Sequence, residues 1–183
     1  MDKLLSLTRQ LYREERGTTS LEFVIVFPIF FAFFLMTFES GMISARHVML
    51  ERGVDVTVRE IRIGQIAVPT RERLQERICE VALIIPNCDT DMQIEMIRRD
   101  PRNWQAVSPA VRCIDRSEES QPVVEFTPGG NNDLILIRVC ARIDPFMPTS
   151  GLGRAIANNN SDAAAGGSYA LVSSAAFVVE PFQ

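Results

Sequence analysis

The sequence predicts an α+β protein: a long N-terminal helix packed on a small antiparallel sheet and stabilised by disulfides. Three observations carry this. Phe23 to Phe38 reads FVIVFPIFFAFFLMTF, with Thr37 its only polar residue, and a helical periodicity continues well past its end. Near the C-terminus the apolar residues alternate with a period of two, as half-buried strands require. Four cysteines occur without the close C-x-x-C pairs of a zinc ribbon or redox motif.

The chain divides into a basic leader (1–17), a transmembrane helix (18–43) and an α+β domain (44–183). The leader carries Lys3, Arg9, Arg13 and Arg16, with Leu4, Leu5, Leu7 and Leu11 giving it some amphipathic character. The sixteen residues from Phe23 to Phe38 span roughly 24 Å as a helix. Extension to Ile43 brings the length to about 30 Å, the thickness of a hydrocarbon core. Glu39 then marks the outer interface. The positive-inside rule places the leader in the cytoplasm and the domain outside. The net charge of −4 gives no case for nucleic-acid binding.

Thr19-Ser20-Leu21-Glu22 fits a capping box at the start of the helix. Pro28 lies within the span, where membrane helices tolerate it as a modest kink. Beyond Ile43, Leu50, Val54, Val58 and Ile61 recur at helical spacing, and Arg46, Glu51, Arg52, Asp55, Arg59, Glu60 and Arg62 form the polar face. Gly53 weakens this helix by about 1 kcal/mol, and Gly64 and Pro69 end it. Thr70 caps a second helix with the apolar stripe Leu74, Ile78, Val81 and Ile85, stopped by Pro86-Asn87.

The remainder reads as strands and loops. Met92, Ile94 and Met96 alternate over a short strand, and 98–115 has no clear period. Val123 to Phe126 and Leu134 to Ile143 are expected to pair as a hairpin across Pro128-Gly129-Gly130-Asn131-Asn132-Asp133. Ile135, Ile137, Val139, Ala141 and Ile143 share one face; Arg138, Cys140 and Arg142 on the other imply water or a polar neighbour. Residues 144–168 read as a loop, and Tyr169, Leu171, Ser173, Ala175, Phe177 and Val179 as a final strand. Asn158 to Asp162 has the composition of an ordinary loop as much as of a calcium site. Four cysteines allow three connectivities; proximity along the chain favours Cys79 with Cys88 and Cys113 with Cys140, and an exported domain favours the oxidised state.

Glu22 is the first functional candidate, because a carboxylate at the start of an apolar helix is expensive. It is also explicable as a hydrated helix cap. Glu39 reads as a bland interfacial residue. His47 is the only histidine, so no metal site with two or more histidine ligands can be assembled, and beside the span it reads as a surface residue rather than a ligand or base. The phenylalanines Phe27, Phe30, Phe31, Phe33 and Phe34 suit lipid or helix packing. No cofactor, metal site or enzyme activity is expected.

Gly17 at the end of a basic leader, Glu22-Phe23 five residues on, Pro28 in the apolar run, Glu39 at its end and the continuation ARHVMLERGVDVTVREIRIG together resemble TadE-like proteins, minor pseudopilins of the tight-adherence (Flp-type) pilus system. The similarity covers roughly 13–64, and ALVSSAAFVVEPF is similar to the family's C-terminal end. The resemblance implies a pilin-like fold in the bacterial inner membrane, with the domain in the periplasm. It implies cleavage after Gly17 by a prepilin peptidase, leaving Thr18 as the new N-terminus, and pairing of the Glu22 carboxylate with the amine of a neighbouring subunit. Its implied partners are the bilayer, that peptidase, other pilins and pilus assembly proteins; its implied role is pilus assembly, and through it adhesion and biofilm formation. Thr18 stands where typical type IV pilins carry a bulky apolar residue. Two other readings of the same run are an uncleaved anchor for a periplasmic scaffold, and a secretory signal cut near Ile43-Ser44-Ala45 to release a binding domain.

Overall fold

A computed structural model describes residues 18–116, 121, 123–158 and 167–180; the side chains of Thr18, Thr19 and Asn158 are outside the description. Three helices and three strands follow in the order α1 (Thr18–Arg62), α2 (Arg71–Val81), β1 (Met92–Arg99), β2 (Leu134–Ile143), α3 (Gly151–Asn158) and β3 (Tyr169–Val178). The α+β expectation holds.

The helix α1 runs for 45 residues with Pro28 inside it. The boundary drawn at 43–44 from hydropathy therefore falls within one unbroken helix. Its end has a local cause. Gly64 adopts φ 76°, its N–H donates to the Ile61 carbonyl at 3.1 Å, and Gln65 N–H donates to the Glu60 carbonyl at 3.0 Å. This is the Schellman arrangement, which needs a left-handed residue that glycine adopts without strain.

Thr70 caps α2, its side chain accepting from Arg73 N–H. The helix stops at Val81, ahead of the Pro86-Asn87 stop. The cause is the Cys79–Cys88 disulfide, which holds the two Cα atoms 5.7 Å apart. A helix continued over those nine residues would separate them by roughly 13 Å, beyond bridging range.

The sheet is antiparallel in the order β1-β2-β3. Ile94 faces Val139, which faces Ser173 in turn. One face meets α1 and α2: Leu50, Val54, Val58, Ile61, Leu74 and Ile78 form a single core with Ile94, Met96, Ile135, Ile137, Val139, Ala141, Ile143, Leu171 and Phe177. Gly53 sits where a Cβ would meet the Ile78 carbonyl oxygen at 3.0 Å and Ile78 Cγ2 at 3.1 Å. The residue that reads in sequence as a weak point of α1 is a place where α2 packs closely against it.

One expectation fails here. Val123 to Phe126 forms no hairpin with β2, because both edges of β2 are occupied by β1 and β3. The segment instead lies parallel to β1, through Met96 N–H to the Glu125 carbonyl at 3.0 Å and Thr127 N–H to the Met96 carbonyl at 2.9 Å. On the second face of β2, of the two alternatives read in sequence, the polar neighbour rather than water is found. Arg138 donates to Glu95 and to the Ser108 carbonyl, and Arg142 to the Ile114 carbonyl, while Cys140 bonds Cys113. The aperiodic stretch before Asp115 thus supplies the polar neighbour that these side chains require.

The loop expected over 144–168 contains α3. Ser150 caps it, Oγ accepting from Gly153 N–H at 2.9 Å, and Gly153 is required because a Cβ there would lie 2.3 Å from the Met147 carbonyl oxygen. Asn159 to Asp162, the rest of the loop considered for calcium, falls outside the described residues.

Candidate functional site

The site is the first half of α1 and its junction with the domain. Among the described residues, this is the one helix long and apolar enough to cross a membrane. Its apolar surface is bare: Phe23, Val24, Ile25, Val26, Ile29, Phe30 and Phe33 are all exposed. Phe23, Phe27, Phe31 and Phe34 form a ladder of stacked rings, with successive centroids 5.0, 5.6 and 6.3 Å apart. The hydroxyls of Thr37 and Ser44 donate to the carbonyls one turn back, at 2.9 and 3.1 Å. An apolar surrounding demands such internal satisfaction of polar groups.

Glu22 is exposed on the first turns. Gly17 and the leader are outside the described residues, as is the Thr19 side chain on which the capping box depends. Thr18 opens the helical backbone. Glu39 follows Glu22 by seventeen positions of helix, roughly 25 Å along the axis, so the two carboxylates occupy opposite ends of the apolar run.

Glu39 corrects the sequence reading. It is fully buried, and its two oxygens accept from the backbone N–H groups of Phe146 at 2.9 Å and Met147 at 2.8 Å. The adjacent Phe38 meets the Phe146 ring edge-on, with centroids 5.3 Å apart. Two turns on, Arg46 is also buried rather than on a solvated face; it donates to the Asp144 carbonyl and the Tyr169 hydroxyl, both at 3.1 Å. Burial holds the Tyr169 phenol above its ordinary pKa, although the Arg46 bond acts in the opposite sense. Arg116 closes the seam from the other side by pairing with both Asp91 and Asp144. Burial disfavours its charge, and the bonds to the two carboxylates prevail and raise its pKa. His47 is half-exposed near Glu51 and the Val172 carbonyl.

The junction thus locks the segment after β2 onto α1 at the end of the apolar run. Glu39 and Arg46 were missed because their partners lie about a hundred residues away. The signal available for Glu39 was the one used for Glu22: a carboxylate within a continuous apolar helix needs a partner.

Residues 17–59 match the family model described as TadE-like protein. The likeness to that family is confined to these residues. It covers the apolar run, Glu22, Glu39 and Arg46, and ends within the half of α1 that is buried against the sheet. No curated protein and no solved structure matches the chain. The similarity to TadE-like proteins extends no further than residue 59. The domain beyond it, from α2 onward, is described by its own geometry alone.

Proposed function

We propose that this chain is a minor pseudopilin-like protein of a Flp/Tad-type pilus, anchored in the bacterial inner membrane by the first half of α1. The leader lies in the cytoplasm and the domain in the periplasm. A prepilin peptidase cuts after Gly17, and Glu22 then pairs with the N-terminal amine of a neighbouring pilin. A lone amine and a lone carboxylate are each costly in a low-dielectric layer, and pairing offsets part of that cost. The role is structural and non-catalytic: assembly or support of the pilus, and hence adhesion and biofilm formation.

The observation that carries this reading is the match of 17–59 to TadE-like proteins on a helix that is bare at one end and rooted in a domain at the other. The unbroken course of α1 counts against release by a signal peptidase. A cut near Ser44 would remove Glu39 and free the backbone groups of Phe146 and Met147.

N-terminal sequencing of the protein from membranes tests the reading. Thr18 at the N-terminus is expected. Met1 would identify an uncleaved anchor, and Arg46 or His47 a secreted domain; either result overturns the proposal. Glu22→Ala is expected to abolish or reduce piliation while leaving the protein in the membrane, and unchanged piliation refutes the assembly role of Glu22.

A further inference from the structure

We propose that the base of the domain, formed by Phe146 and the first turn of α3, is seated in the interfacial layer of the bilayer on the domain's side, with Glu39 holding it there. This rests on the reading of α1 as a membrane span. Three observations converge on it.

The first is length. Gly151 lies so close to α1 that a Cβ on it would be 3.3 Å from Met36 Cε. The domain therefore reaches down to Met36, three residues below Glu39, or roughly 4.5 Å deeper along the axis. Of the apolar run, only Phe23 to Phe34 is exposed without interruption, roughly 18 Å of helix. A hydrocarbon core is about 30 Å thick. With Glu22 near one interface, the lowest part of the domain enters the opposite one.

The second is the surface presented there. Phe146 is 53% exposed, yet its ring lies edge-on to Phe38, the last residue of the apolar run. The Phe38–Phe146 contact carries apolar surface from α1 onto the domain. Phenylalanine is among the apolar side chains that interfacial segments bury at this depth. Arg154 on α3 is exposed, a charge suited to lipid phosphates.

The third is the treatment of Glu39. A carboxylate at this level would otherwise face headgroups or acyl chains. Its complete burial beneath the Phe146 and Met147 backbone removes it from lipid, while fixing the loop rigidly against the helix.

Depth-dependent fluorescence quenching tests the proposal. Trp104 is the only tryptophan, so Trp104→Phe supplies a silent background for the full chain reconstituted in phosphatidylcholine vesicles. Phe30→Trp reports the span and Phe146→Trp the base, with Leu152→Trp as a second reporter on α3. Vesicles brominated at mid-chain should quench the reporter at 30 most strongly. Vesicles brominated near the carbonyl end should quench those at 146 and 152 most strongly, as for groups ~5–10 Å below the headgroups. Quenching at 30 with none at 146 and 152 overturns the proposal and leaves the span intact. No quenching at 30 overturns the span and the proposal with it. Adding Glu39→Gln should reduce quenching at 146; an unchanged profile refutes its holding role.

Discussion

Replacing Glu39 by Gln alters charge and hydrogen bonding with almost no change in shape. In the native chain each carboxylate oxygen accepts one backbone N–H, from Phe146 and from Met147. A hydrogen bond to a charged group contributes about 1.5–3 kcal/mol, against about 0.5–1.5 kcal/mol for a neutral one. The amide retains one acceptor, so one bond weakens by about 1 kcal/mol; its NH2 faces the other N–H, so roughly 2 kcal/mol is lost there. Relief from burying a charge offsets part of this, leaving a net destabilisation of about 2 kcal/mol. For a chain of this size that lowers Tm by about 4–8 °C. Thermal unfolding of the detergent-solubilised full chain, followed by circular dichroism, reads the shift. Hydrogen exchange at the Phe146 and Met147 amides localises it. An unchanged Tm with native protection at both amides would refute the role assigned to Glu39.

The cysteine pairs should differ in worth. By loop-closure entropy, Cys113–Cys140, with a separation of 27, contributes about 3.6 kcal/mol and Cys79–Cys88, with a separation of 9, about 2.6 kcal/mol; denaturant titration should show the double alanine variant of the first pair to be the less stable. Gly53→Ala raises helix propensity by about 1 kcal/mol but pushes a methyl onto the Ile78 carbonyl, so a net fall in Tm is expected and a rise would show that α2 can move aside. The bonds from Arg77 hold the Glu60 carboxyl below its ordinary 4.5. Their contribution is complete above that value and is lost as pH falls through the lowered one. The stability gap between wild type and Glu60→Gln should therefore be flat from neutral pH down to the carboxylate range and close at more acid pH.

Much of the fold can be read in sequence where the determinants are local. The spacing of Leu50, Val54, Val58 and Ile61 specifies the buried stripe of α1, and Gly64 its end. Strict alternation specifies β2 and β3. The cysteines pair as proximity along the chain favours, and Cys79–Cys88 in turn shortens α2. What stays illegible depends on partners distant in sequence. Nothing near Val123 reveals that both edges of β2 are already taken. The arginines of β2 are buried because residues 108–114 fold back over them. The helix α3 hides behind two glycines, although Ser150 and the Leu152–Ile156 spacing carry a weak helical signal. For the candidate site, the apolar run and Glu22 are legible, whereas Glu39 and Arg46 acquire their roles from residues that fold up against them from the end of β2 and the start of β3.

The absence of any break between the bare and buried halves of α1 makes the helix a lever. From Ile43 to Arg62 it extends roughly 30 Å beyond the span, and the sheet is packed along that arm. A tilt of about 20° in the bilayer, ordinary for a single span, would swing the far end of the domain sideways by about 10 Å. Rotation about the helix axis would turn the sheet through the same angle. Drawing the helix out of the membrane along its axis would likewise carry the domain the same distance. Bilayer thickness and helix tilt therefore set the height and bearing at which the domain meets its neighbours.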